Sequence, residues 1–266
     1  MHAINKSEHG NINSLFDENS LAEALQSDQT SVLSTLKSAV TNINQGLKQI
    51  YQQGTPVEEI VTGRAYLVDR VLTTLFEHYF APIEQPIALI AVGGYGRSEL
   101  HPASDIDLML LLQDEEDERT REAIEKFIML LWDARLEIGH SVRTLDECID
   151  EAANDITVAT NIMESRLLSG DTELFDNMQT LTGPDRMWDN QSFFQAKLKE
   201  QIQRNGKFND TAYNLEPNIK EGHGGLRDIQ MIVWVAKRHF GASSLSDLVD
   251  HNFLREKELK TLLEGQ

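Results

Sequence analysis

The sequence predicts a mixed protein of the α+β or α/β class: a small sheet with flanking helices, preceded by N-terminal helices and followed by a helical domain. Three observations predict it. Two short apolar runs, Ile87–Val92 and Ile106–Leu112, are too short for buried helices and end abruptly, as buried strands do. Apolar residues before and after them recur at helical spacing. Beyond Gly183-Pro184 the periodicity is helical only.

The elements follow in order. Residues 1–30 are polar and turn-rich, with one short helix near Ser20–Gln26. Leu36, Val40, Ile43, Leu47 and Ile50 mark a longer helix that breaks at Gly54. Thr55-Pro56-Val57-Glu58 reads as a capping box with proline in the first helical position. The helix it opens runs through Leu67, Val71, Leu75 and Tyr79, and Pro82 and Pro86 close it. The two strands come next. The acidic run Asp114–Glu118 reads as a solvated loop and helix start, leading into a helix over Arg119–Ala134. Leu136–Arg143 is a third strand, and Leu145 to about Glu164 a further helix. After the Gly-Pro boundary, Phe194, Leu198 and Ile202 mark one helix, Leu226–Phe240 a second and Leu254–Glu264 a third. This order divides the chain into an N-terminal helical segment (1–82), a central core (83–182) and a C-terminal helical domain (183–266).

Composition narrows the function. The chain has 266 residues, 24 Lys plus Arg and 43 Asp plus Glu, and 24 − 43 leaves a formal charge of −19, which repels phosphate backbones and makes nucleic acid a poor partner. The single cysteine, Cys148, excludes an internal disulfide and a paired-cysteine metal site and fits a reducing cytoplasm. The N-terminus has no secretory pattern, and no apolar run is long enough to span a bilayer, so no membrane role is expected.

The stretch that carries chemistry is Val92 to Leu112. Gly93 and Gly94 end the first strand, where adjacent glycines let successive N–H groups turn toward an anion. Gly96 adds a third flexible joint, and Arg97 places a planar donor fork beside them. Asp105 and Asp107 follow at the start of the second strand. Residues i and i+2 of a strand share a face, so the two carboxylates project together and repel unless a cation sits between them. Mg2+, which takes carboxylate and phosphate oxygens, is the cation expected. Glycines for phosphates and carboxylates for metal make a nucleoside triphosphate site, with in-line displacement at phosphorus as its chemistry. Ser104, next to the pair, joins Gly93, Gly94 and Arg97 as a nucleotide-binding candidate. The spacing fits neither the dinucleotide fingerprint nor the P-loop.

Gly93-Gly94, ten intervening residues, then Asp105-Ile106-Asp107 resembles the DNA polymerase β-like nucleotidyltransferase superfamily. Three blocks together, GGYGRSELHPASDIDLMLL, IGHSVRTLDEC and NLEPNIKEGHGGLRDIQ, resemble the N-terminal part of bacterial PII uridylyltransferases (uridylyl-removing enzymes), in the same order from about Val32 onward. The resemblance implies a nucleotidyltransferase fold with a small mixed sheet. It implies transfer of UMP from UTP to a tyrosine of the PII signalling protein, with Mg2+ in a two-metal site and release of pyrophosphate. Asp105 and Asp107 would be the catalytic metal ligands, and Gly93 and Gly94 the triphosphate cradle. The superfamily expects a third carboxylate on a later strand: Glu137 is the candidate, Glu164 the alternative. Ser98 stands where the family has glycine, and His223 where it often has proline. The family's hydrolase and glutamine-sensing domains do not fit into this length, so uridylyl removal is not expected from this chain; Asp250-His251 does not replace the hydrolase site.

A second glycine-rich turn, Lys220 to Asp228, opens a helix, and Lys220 or Arg227 is expected to touch phosphate or base. Its competing reading is a capped helix with Arg227 paired to an acid. His140 and His101 read as structural, Trp132 and Trp234 as core, and Cys148 as a buried small hydrophobe. Two other functions remain open at this stage. One is an adenylyltransferase-like enzyme with another protein acceptor; the other is a non-catalytic nucleotide-sensing module.

Overall fold

The structure, a computed structural model, describes residues 12–207, 218–240, 246–250 and 252–265. The first residues of the N-terminal segment, Asn214–Pro217 of the third block, and His251 lie outside the described residues. The chain forms two compact units. The first runs to Asp150 and includes Asn161–Gln179; the second takes Glu151–Thr160 and everything from Thr180.

In the first unit, α1 (Glu18–Leu25), α2 (Gln29–Gln52) and α3 (Val57–Phe80) precede the sheet. Asp17 and Asp28 cap α1 and α2, each carboxylate accepting from backbone N–H groups of the first turn. The capping box expected at Thr55 does not form: Pro56 is the N-cap of α3 and provides no side-chain bond. Strand β1 (Ile87–Ala91) leads into the one-turn helix α4 (Gly93–Gly96), then β2 (Ile106–Leu112), α5 (Glu118–Asp133) and β3 (Ile138–Thr144). Asp117, inside the acidic run, caps α5 by accepting from the Thr120 N–H at 2.7 Å.

The predicted helix over Leu145–Glu164 is two helices, α6 (Leu145–Asn154) and α7 (Ile156–Met163), separated by Asp155, whose carboxylate accepts from the Thr157 N–H at 2.7 Å. A strand and a helix that the sequence reading did not contain follow: β4 (Arg166–Gly170) and α8 (Thr172–Leu181).

The sheet order is β3-β2-β1-β4. Strand β1 runs antiparallel to β2 and β4, and β2 runs parallel to β3, with Asp107 opposite Gly139. The sheet is therefore mixed, as expected. Alternate residues divide between its faces. Leu89, Ile106, Leu108 and Leu110 join one apolar cluster with Leu67, Val71 and Leu75 of α3 and Phe127 and Leu131 of α5. The N-terminal helices share this cluster with the sheet (Leu36, Ile43 and Leu47 of α2 are in it). On the opposite face Met109 meets the buried Cys148, sulfur to sulfur at 3.8 Å. Asp107 belongs to that opposite face. Trp132 is not core, as the sequence reading had it: it is 51 % exposed on α5 and meets the His140 ring edge-on at 5.4 Å.

In the second unit, α9 (Asn190–Lys207), α10 (Leu226–Phe240), α11 (Asp247–Asp250) and α12 (Glu256–Gly265) follow. Trp234 is buried as expected, 3 % exposed.

Candidate active site

The site begins where β1 runs out. Val92 is extended and its N–H donates to the Asp107 carbonyl at 3.0 Å, which ties the end of β1 to the start of β2. Gly93 then takes φ +60°, a left-handed conformation open to glycine at little cost. The chain turns through α4, closed by Gly96 N–H to the Val92 carbonyl at 3.0 Å and Glu99 N–H to the Gly94 carbonyl at 3.0 Å. The first N–H groups of such a turn have no intrahelical acceptor.

Asp105 is the exposed residue before β2, and Asp107 is the second residue of the strand and half-buried. Ile106 between them is 1 % exposed and points into the α3 core, so alternation sends both carboxylates to the other face. Two glycines hold space around Asp107. A Cβ on Gly93 would lie 3.2 Å from Asp107 Oδ2, and one on Gly139, its partner on β3, would lie 2.7 Å from Oδ1. Sequence reasoning gave Gly139 no role, although a glycine inside a strand is a signal of close approach.

The other candidates fall as follows. Arg97 bridges two acids: Nε donates to Glu99 at 2.9 Å and Nη1 to Glu164 at 2.9 Å. Burial works against its charge, but Glu164 and Glu99 outweigh burial and raise its pKa. Glu164, 7 % exposed, is thus the anchor of Arg97. Glu137 is exposed just before β3 and close enough to Arg64 to hold that guanidinium's pKa up against burial, which nonetheless lowers it. Among the described residues no group of three Asp, Glu, His or Cys side chains gathers as a metal cluster. Ser104 closes a turn with its N–H on the His101 carbonyl at 3.1 Å and lines a cavity beneath the sheet, with Glu137. Ser98, where the resemblance expects glycine, has φ +63°, so the position demands the left-handed conformation that glycine adopts freely.

A part-buried network that sequence reasoning missed fixes α4. The Tyr95 ring is 1 % exposed and its hydroxyl donates to Asp69 of α3 at 2.6 Å. Arg166 of β4 grips the same carboxylate, Nη1 to Oδ2 at 2.7 Å, and donates to the Tyr95 carbonyl at 3.3 Å. Burial, then the Asp69 charge, pushes the Tyr95 pKa well up and keeps the phenol neutral. The three groups lie far apart in sequence, so no local pattern announces them.

Lys220 and Arg227 belong to the second unit. The Lys220 N–H donates to the Asn218 side chain at 3.0 Å. Arg227 donates to Glu221 at 3.3 Å and to Gln230 at 3.0 Å, the acid-paired arrangement of the competing reading. Asp228 accepts from the Gly224 N–H at 2.8 Å and from Gln201 at 2.8 Å, and pairs with Arg204.

A mixed sheet carrying a glycine turn on one strand and an Asp-x-Asp pair at the start of the next defines a nucleotidyltransferase. Comparison agrees: residues 41–142 match the nucleotidyltransferase family DUF294, and residues 192–266 match the GlnD PII-uridylyltransferase family. The chain is similar to the bifunctional uridylyltransferase/uridylyl-removing enzyme of Nitrosococcus oceani, 46% identical over 255 residues, covering 95% of this chain and 28% of that protein. It is also similar to those of Ectopseudomonas mendocina (45% identical; 90% of this chain, 26% of that protein) and Photobacterium profundum (44%; 87% and 26%). The chain matches an N-terminal part of such uridylyltransferases, and it spans about a quarter of the length of the curated relatives it matches. None of the helices searched among the described residues is long and apolar enough to cross a membrane.

Proposed function

We propose that this chain catalyses metal-dependent transfer of UMP from UTP to a tyrosine of the PII signalling protein, in the cytoplasm and as part of nitrogen regulation. One observation carries the reading: the Asp105–Asp107 pair at the mouth of β2, with Asp107 set between Gly93 and Gly139. The pair fits Mg2+ by its chemistry, since both donors are carboxylates, and by its surroundings, since the two glycines keep side-chain carbon away from Asp107. Asp105 and Asp107 would hold the ion; Glu137, the third acid expected, lines the cavity on the other face of β2 instead. When bound, Mg2+ would offset triphosphate charge and favour displacement at phosphorus.

The first N–H groups of α4 meet phosphate oxygens where a side chain on Gly93 would block them. The Tyr95–Asp69–Arg166 network keeps that turn in place. The tyrosine oxygen of the acceptor attacks the α-phosphorus, the bond from that phosphorus to the bridging oxygen breaks, pyrophosphate leaves, and the phenolic proton is lost to solvent. The carboxylates orient the triphosphate for this in-line attack and contribute no atom to the product.

The test uses UTP labelled at the α-phosphate, Mg2+ and PII. Label is expected on PII, and none with Asp107→Asn, whose circular dichroism should match the parent. Gly139→Ala forces Asp107 to shift and should slow labelling by about a hundredfold. Persistent labelling with Asp107→Asn, or none with the parent chain while a full-length relative labels PII alongside, overturns the proposal.

A further inference from the structure

A cavity of about 680 Å3 lies on the α3 side of β2, the face opposite Asp107. Its walls are apolar: Ile43 and Leu47 from α2, Ile60 and Val68 from α3, Ile106 from β2, and Leu136. Tyr51 and Val57, 55 % and 48 % exposed, stand at its edge as unburied apolar surface. The volume is that of a small-molecule site, and an apolar chamber with a few polar groups is the usual form of one.

The charges around it run against the net charge of the chain. In a chain of net −19, the charged residues lining this cavity are Lys48, Arg64 and Arg135 against the single acid Glu137. Arg64 is half-buried, and among the described residues its guanidinium makes one hydrogen bond, Nη1 to the His101 carbonyl at 2.7 Å. Arg135 is held at φ +63°, a conformation that suits glycine better than arginine.

We infer that this cavity binds an amphipathic organic anion, an apolar body with one carboxylate, the body in the chamber and the carboxylate against Arg64 and Arg135. The site is separate from that proposed for the nucleotide: Ile106 faces the cavity, and its neighbours Asp105 and Asp107 face away. A ligand pressing on Ile106 therefore bears on the strand start that holds both carboxylates, which makes the cavity a place from which transfer can be tuned.

Octanoate is the probe, titrated calorimetrically into the 266-residue chain without nucleotide, so the result does not depend on the transferase reading. Saturable binding of one octanoate per chain is expected, with Kd below about 1 mM. Octanol should bind at least about tenfold more weakly, because it lacks the charge for the guanidinium groups. Arg64→Gln should weaken octanoate by about tenfold or more, and Arg135→Gly by a similar factor while relaxing the backbone. Should Arg64→Gln fail to fold, Arg135→Gly decides alone. No saturable binding, equal binding of octanol, or undiminished octanoate binding in the folded variants overturns the inference.

Discussion

Helices α2 and α9 read alike in sequence and behave oppositely in the fold. Both carry apolar residues at helical spacing. In α2 the stripe goes inward: Leu36, Ile43 and Leu47 are 0 %, 4 % and 3 % exposed. In α9 the stripe Phe194, Leu198 and Ile202 is 45 %, 37 % and 61 % exposed, while Lys197 and Arg204 are 3 % and 9 % exposed. The neighbour decides. Helix α2 meets the apolar faces of α1 and α3, whereas α10 offers α9 an indole and a carboxylate. The Lys197 ammonium sits 4.1 Å from the Trp234 ring centroid and 2.7 Å from Glu200, and Arg204 pairs with Asp228. Long basic stems supply the apolar burial and their heads find partners. Periodicity identifies a helix; the face it buries is a property of the pair.

The largest effect expected from this contrast is on α2. Leu36→Ala should cost about 3 kcal/mol in urea unfolding followed by circular dichroism, because a fully buried leucine leaves a cavity. A cost under about 1 kcal/mol would mean the N-terminal helices are only loosely committed to the sheet. Next comes Lys197→Met, which keeps the stem and removes the charge. A loss of about 1–2 kcal/mol is expected in urea unfolding followed by circular dichroism, since the cation–π contact and a charged hydrogen bond both go. An unchanged midpoint would show that the stem alone matters and that α9 packs by the same rule as α2.

The same distinction explains what the sequence could and could not tell. Strands β1 and β2 were legible because their residues are buried on both faces and read as continuous apolar runs. Strand β4 was not: Arg166–Gly170 has two strongly apolar residues, and it becomes a strand by pairing with β1 through a register shift at Leu89/Ile90. The break at Asp155 went unread because helical spacing continues across it. At the candidate site, Gly93, Asp105 and Asp107 declare themselves within one local stretch. Gly139 acquires its closeness to Asp107 only when β3 pairs with β2 in parallel. Arg97 reads locally as an anion fork, yet its partner Glu164 lies 67 residues away. Residues whose meaning is local were found, and residues whose meaning is a contact were not.

The smallest expected effect is the most direct test of that asymmetry. Ile202 sits on the outer stripe of α9 at 61 % exposure. If the inner face, built from Lys197, Arg204 and Phe193, holds this helix, then Ile202→Gln should change stability by no more than about 0.5 kcal/mol, because an exposed side chain gives up little buried area. Gln keeps helix propensity nearly level, so a change of helicity would not account for a shift. The measurement is urea unfolding followed by circular dichroism, run beside Lys197→Met. A cost for Ile202→Gln that matches or exceeds the cost for Lys197→Met would reverse the assignment of faces: the outer stripe would then be packed in solution, and the basic residues would be the incidental ones.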